Sequence, residues 1–155
     1  MQLVHSDFNS ENHQLDIVVL CDGITSPANV GGVMRLADAY GVTKVVFLKG
    51  ITQCSARAKS VSRGTHHFVN HSFLSQFKLD ERDWFCLECT SESKPLKSFS
   101  LKSRKIGVII GNENTGVDDS FLKDYPSFHI QMFGRNSSMN VTQALSAALF
   151  HITNG

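Results

Sequence analysis

The sequence predicts an α/β fold built on a mostly parallel sheet with helices on both faces. Three observations carry that prediction. Continuous β-branched, apolar runs such as DIVVLC at 16–21 and KVVFLKG at 44–50 suit strands buried on both sides rather than strands with one wet face. Segments between them repeat apolar residues at helical spacing, giving the strand-and-helix alternation of this class. Polar, glycine-bearing loops follow directly after strands, where open parallel sheets bind their ligands.

In chain order, the first strand at 16–21 ends in the turn-forming DGITSPAN. From 29 to 40, Val30, Val33, Met34 and Ala37 recur at helical spacing, with Asn29 as N-cap and Gly41 as stop signal. A second buried strand at 44–50 completes a βαβ unit, whose crossover should be right-handed. Short helices follow near 55–63 and 72–78, then strands at 83–89, 105–110 and 127–131. The last helix begins near Asn140 and lines Val141, Leu145, Leu149 and Ile152 along one face. A length of 155 residues fits one domain over 1–155, opened by a polar segment at 1–15.

Composition narrows the class further. With 41% hydrophobic and 19% charged residues the chain is an ordinary globular protein, and disorder is not expected. The start lacks the basic flank and apolar run of a secretory signal, and no stretch reaches the roughly 18 apolar residues that span a bilayer. A cytoplasmic protein with no membrane partner is expected, so its cysteines should be reduced. Cys86 and Cys89 form a CxxC inside a strand-like segment that points them to opposite faces, and no second pair completes a metal site.

The net charge of +1 argues against nonspecific coating of nucleic acid, yet it averages over an asymmetry. Residues 39–79 contain no carboxylate but carry Lys44, Lys49, Arg57, Lys59, Arg63 and Lys78. A second acid-free run, 93–112, adds Lys94, Lys97, Lys102, Arg104 and Lys105. These runs read equally as an RNA-binding surface, with Lys44, Arg57, Lys59, Arg63, Lys102 and Arg104 as candidates, or as a solvated face whose acids come from neighbouring elements.

Three loops hold the chemistry. NVGGVMR at 29–35 has two glycines that let the backbone approach something closely, and an Arg35 near a helix start, where the dipole disfavours positive charge. Arg35 is therefore either an exposed structural residue or the partner of a phosphate or carboxylate. IIGNENTGVDD at 109–119 has the glycine spacing of a phosphate loop, but Val117 stands where its lysine should be, and no GxGxxG occurs elsewhere. What remains is a glycine-flanked turn carrying Glu113, either a routine loop acid or a functional one. The third loop runs from the last strand into the polar cluster Asn136, Ser137, Ser138, Asn140; helix capping explains only part of that cluster.

In this order, NVGGVMR, IIGNENTG and IQMFG followed by SSMN resemble the three signature motifs of the SpoU family, within the SPOUT methyltransferases. The resemblance spans about 17–152, and SRGTHHF at 62–68 resembles a segment that members carry between the first two motifs. It implies a C-terminal deep trefoil knot, a homodimer with active sites near the subunit interface, and transfer of a methyl group from S-adenosylmethionine to a ribose 2′-hydroxyl of RNA. Carried over by motif position, cofactor contacts come from Gly111, Ile130, Ser138 and Met139, with Leu87 beside them. Arg35, Asn29, Glu113, Ser138 and Asn140 form the catalytic set. No metal is needed.

In that set Arg35 binds the RNA phosphate and stabilises developing negative charge, because an always-protonated guanidinium is a poor direct base. The proton leaves with help from the phosphate or from a deprotonated minority form. Glu113 holds Arg35 or the neighbouring loops, and Asn29, Ser138 and Asn140 fix loops and target ribose. Gln131 departs from the family, which usually has proline there, as does Met139, where leucine is common. No N-terminal RNA-binding extension like that of many relatives is expected, so recognition is expected from the basic segments. Transfer RNA is the favoured substrate. Ribosomal RNA, an inactive RNA-binding or assembly protein of the same fold, and an enzyme using another nucleotide are the alternatives.

Overall fold

A seven-stranded sheet organises the chain, and its central strands are the continuous apolar runs. The computed structural model describes residues 7–155, so the first six residues of the polar N-terminal segment lie outside the described residues. The elements are β1 (Asp16–Asp22), α1 (Pro27–Ala39), β2 (Lys44–Leu48), α2 (Ala56–Ser62), β3 (His71–Leu74), β4 (Asp83–Leu87), β5 (Lys94–Pro95), β6 (Lys105–Ile110), α3 (Asp119–Asp124), β7 (Ser127–His129) and α4 (Val141–Asn154). The strand order is β3-β2-β1-β6-β4-β7-β5, and every pairing between these strands is parallel. All their carboxyl ends therefore share one edge of the sheet.

Alternation along β1 divides the core. Ile17, Val19 and Cys21 pack with Val30, Val33, Met34 and Ala37 of α1 and Leu145, Leu149 and Ile152 of α4. Val18 and Leu20 face the other way, with Val46, Leu48, Trp84, Cys86 and Ile109. That second face is covered by Phe77 and Leu79 and by Phe121, Leu122 and Tyr125 in and just after α3. Helices thus lie on both faces, unequally: two long ones on the first and a six-residue helix on the second. Complete burial of a side chain such as Leu145 or Leu149 contributes about 1.5–3 kcal/mol, so the α1/α4 layer anchors the fold.

Several local expectations are corrected. The segment 72–78 is not a helix: His71–Leu74 is an edge strand paired with β2, and Phe73 stacks on Phe47 at 4.9 Å. Asn29 is not the N-cap of α1. Ser26 is, with its side chain accepting from the Asn29 N–H, and Pro27 opens the helix. Strands expected to reach 50, 89 and 131 stop at Leu48, Leu87 and His129, and Lys49 already has a left-handed φ of 58°. The C-terminal helix starts as expected, with Asn140 capping it through the Thr142 N–H.

The first loop's glycines approach helices rather than a ligand. A Cβ on Gly31 would lie 2.5 Å from the Ala58 carbonyl oxygen, so its absence lets α1 and α2 touch. One on Gly32 would lie 2.9 Å from Thr142 Cγ2 of α4. All four cysteines are free, Cys86 buried and Cys89 exposed. No described helix is long and apolar enough to cross a membrane.

Candidate active site

The carboxyl edge of the sheet opens into a cavity of about 970 Å³. Leu87 at the end of β4, Glu88 beyond it, the loop from Gly111 after β6, Ile130 after β7, and the segment from Ser138 into the first turn of α4 form its walls. All five residues expected at the cofactor, Leu87, Gly111, Ile130, Ser138 and Met139, lie on this lining. Gly111 has a packing reason: a Cβ there would sit 2.1 Å from the Gly116 carbonyl carbon, so the return of the 111–117 loop needs glycine.

Glu113 is the hub that joins the three motifs. Its carboxylate accepts from the Ser26 N–H at 3.0 Å, from the Thr25 N–H and hydroxyl at 3.3 Å each, and from Asn29 Nδ2 at 2.9 Å. Asn29 in turn accepts from Asn140 Nδ2 at 3.2 Å, and Asn140 Oδ1 accepts from the Thr142 N–H at 2.8 Å. One hydrogen-bonded chain therefore runs from the β6 loop through the start of α1 to the start of α4. A second tie is Asn112, which donates to the Gly23 carbonyl at 2.7 Å and accepts from the Asn114 N–H. Burial alone would raise the Glu113 pKa; hydrogen bonds from Asn29 and from backbone N–H groups, including those of Ser26 and Thr25, outweigh it and hold the carboxyl below its ordinary value.

Arg35 stands apart from this network. It is exposed on α1, is not on the cavity lining, and makes no hydrogen bond or ion pair with any described residue. Of the two partners expected for Glu113, Arg35 is therefore not taken up; the neighbouring loop is. Asn29 is buried beneath the loops it ties, while Ser138 and Asn140 lie on the exposed segment leading into α4.

The six basic residues separate into two groups. Arg57 and Lys59 are exposed on α2, and Arg63 caps it, on the layer that packs against α1. Lys44 opens β2, and Lys102 and Arg104 precede β6, so these three lie at the amino ends of the strands. At about 3.3 Å per residue, a strand of this length separates them from the cavity edge by roughly 15–20 Å. Lys44 there lies 5.7 Å over the Phe77 ring, and Arg104 donates to the Gln14 side chain.

Two titratable cavity residues, Glu88 and His129, carry no motif signal in the sequence. Glu88 sits inside the CxxC, whose spacing draws attention to the sulfurs. Its Oε2 accepts from the Val117 N–H at 3.1 Å and its Oε1 from the Cys89 N–H at 3.0 Å. His129 closes β7 with Nδ1 2.8 Å from Ser93 Oγ. Position directly after a strand, or at its last residue, was the available signal for both. Burial first, then the carboxylates of Glu88 and Asp22, push the Cys86 thiol up to about 12, which leaves it inert. Among the described residues no cluster of His, Cys, Asp or Glu could hold a metal.

A parallel sheet with a cavity at its carboxyl edge, closed by strand-following loops that one carboxylate ties together, defines a ligand-binding α/β domain. The chain belongs to the SpoU rRNA Methylase family, whose model matches residues 16–150. It is 24% identical over 143 residues to the 23S rRNA (guanosine(2553)-2′-O)-methyltransferase RlmP of Bacillus subtilis, covering 87% of this chain and 57% of that protein. This chain thus spans little more than half the length of that relative. Among solved structures, the S-adenosylmethionine complex of the SpoU methyltransferase AviRb from Streptomyces viridochromogenes shares the fold at a TM-score of 0.79 and 21% identity, over 90% of this chain and 60% of that one. A structure described as giving insight into 2′-OH methylation of C/U34 on tRNA shares it at 0.78 and 18%, over 92% and 99%.

Proposed function

We propose that this chain, as one methyltransferase domain over 1–155, transfers the methyl group of S-adenosylmethionine to a ribose 2′-hydroxyl of RNA, with transfer RNA as the favoured substrate. The observation that carries the reading is the Glu113–Asn29–Asn140 chain beside a cavity whose lining includes Glu88 and Glu113 but no lysine or arginine. Such a lining is unsuited to the phosphates of ATP or a dinucleotide and suits a cofactor that carries a positive charge. Apolar Leu87, Ile130 and Met139 beside the hydroxyl of Ser138 and the amides of Asn112 and Asn136 fit a nucleoside joined to an amino acid.

When bound, the cofactor supplies an electrophilic methyl group on a sulfonium. Leu87, Ile130 and Met139 hold its apolar surface, and Gly111 and Ser138 its polar groups. The Glu113 chain keeps the loops after β1, β6 and β7 in one arrangement, so the target ribose meets a preorganised site. Arg35, exposed and without a partner among the described residues, binds the RNA phosphate and stabilises negative charge developing on the ribose oxygen. Arg57, Lys59 and Arg63, on the adjoining helix, extend that basic surface. A homodimer with the site near the subunit interface, a knotted path for the C-terminal segment and a cytoplasmic location belong to the same reading.

The test is transfer of labelled methyl from S-adenosylmethionine to total RNA from cells lacking the protein, followed by nuclease digestion and nucleoside mass spectrometry. A 2′-O-methylated nucleoside from the transfer RNA fraction is the expected product. The same nucleoside from ribosomal RNA would reassign the substrate, toward the kind named for the Bacillus subtilis relative. Failure to bind the cofactor would favour an inactive RNA-binding protein.

A further inference from the structure

S-adenosylmethionine and its product, S-adenosylhomocysteine, differ by one methyl group and one unit of charge. The sulfonium makes the substrate cofactor a net cation at neutral pH, whereas the thioether leaves the product neutral. A site can separate the two by contact with the methyl or by its electrostatic potential, and the lining of this cavity has a pronounced sign. Glu88 and Glu113 lie on it and no lysine or arginine does.

The two carboxylates are placed differently. Glu113 is engaged by four donors from Thr25, Ser26 and Asn29, between β1 and the first turn of α1. Glu88 takes one backbone N–H on each oxygen, from Val117 and from Cys89, which leaves further lone pairs and the charge at the cavity wall. It is also immobilised. Gly116 has a φ of 74°, and a Cβ on it would lie 2.6 Å from Glu88 Oε2, so the carboxylate packs directly on that glycine. A fixed charge at a partly dry wall acts on a bound ligand more strongly than a mobile surface acid. Lys49 acts on Asp22 and Asp118 nearby and is not on the lining.

We propose that Glu88 sets the charge selectivity of the cofactor cavity, favouring cationic S-adenosylmethionine over neutral S-adenosylhomocysteine and so promoting exchange of product for fresh cofactor. This rests on the cofactor assignment above. Glu88→Gln removes the charge and keeps one of the two acceptor oxygens, so it also gives up one backbone hydrogen bond, a loss that falls on both ligands alike, and Glu88→Asp restores the charge on a shorter arm.

Isothermal calorimetry of the full chain with each ligand tests it. The wild-type protein should prefer S-adenosylmethionine; Glu88→Gln should reduce that preference by about tenfold, mainly by weakening the cationic ligand, and Glu88→Asp should recover part of it. Equal weakening of both ligands by Glu88→Gln would make Glu88 a loop brace and overturn the inference, as would an unchanged ratio. Failure of the wild-type protein to bind either ligand would overturn the cofactor assignment, and this inference with it.

Discussion

Replacing Glu113 by Ala removes the acceptor that holds Thr25, Ser26 and Asn29, and through Asn29 the third motif's Asn140. Asn29 is 8% exposed, so loss of its partner at 2.9 Å leaves a buried amide donor unsatisfied, at a cost of about 1–3 kcal/mol. The N–H groups of Thr25 and Ser26 regain water, so each of those losses adds only about 0.5 kcal/mol. A total near 2–4 kcal/mol corresponds to a fall in Tm of roughly 5–12 °C for a chain of this size. Glu113→Gln, which keeps one acceptor, should lose less than half as much. Burial opposes the lowered pKa of Glu113 but the hydrogen bonds prevail, so its folded value lies below the unfolded one. Its contribution is therefore fully present above the ordinary carboxylate range and disappears as pH falls through the folded value. Thermal melts of the three proteins between neutral pH and about pH 3 should show the wild-type advantage over Glu113→Gln narrowing at the acid end. An Ala variant melting within about 1 °C of wild type at neutral pH, or a constant gap to Gln, would refute the hub role.

Further predictions concern the rest of the site. Gly111→Ala drives a Cβ to 2.1 Å from the Gly116 carbonyl carbon and 2.2 Å from the Val117 nitrogen, backbone atoms that cannot swing aside; it should cost about 1–3 kcal/mol and abolish cofactor binding, read by denaturant melts and calorimetry. Arg35→Ala removes an exposed side chain with no partner among the described residues, so stability should stay within about 0.5 kcal/mol and cofactor affinity should be unchanged while methyl transfer is lost. Loss of cofactor binding would contradict that division of labour. Exchange of Arg57, Lys59 and Arg63 for Gln should flatten the salt dependence of RNA binding by about 0.7 per phosphate contact removed, whereas exchange of Lys102 and Arg104 should leave it unchanged. Equal effects from the two sets would show that RNA reaches the amino edge of the sheet.

The sheet was legible wherever local pattern and tertiary role agree. DIVVLC and KIGVII are central strands buried on both sides, and nothing in their surroundings competes with their β propensity. Residues 72–78 failed because Phe73 and Phe77 are four apart and imitate a helix face; pairing with β2 and the Phe47–Phe73 stack, both non-local, decide the matter. The α1 cap failed for a simpler reason. Ser26 followed by Pro27 was the stronger start signal, and Asn29, also a capping residue type, drew the boundary inward. In the site, the strand-following position of each loop was readable, and family resemblance supplied which residues to watch. Their connections were not readable, because Asn29 meets Glu113 across 84 residues and Asn140 across 111. Local charge leaves Arg35 either exposed and structural or the partner of a phosphate or carboxylate, and only the fold shows it exposed with the Glu113 carboxylate committed to Thr25, Ser26 and Asn29.

The choice of residue types along that chain follows from donor and acceptor capacity. An ionised carboxylate can only accept, so Glu113 forces the Asn29 amide to present Nδ2 to it. That orientation turns Asn29 Oδ1 outward, where it can take only a donor, and Asn140 must offer Nδ2. Asn140 Oδ1 is then left for the Thr142 N–H, which is the cap of α4. A single charge after β6 thus sets the polarity of every bond up to the helix that follows the 131–139 loop. Aspartate at 29 would put two carboxylates in hydrogen-bond contact, and a serine there would be too short to reach both neighbours. A neutral amide donates to one partner and accepts from the next on a short side chain, which accounts for asparagine at 29 and 140 by geometry as well as by motif.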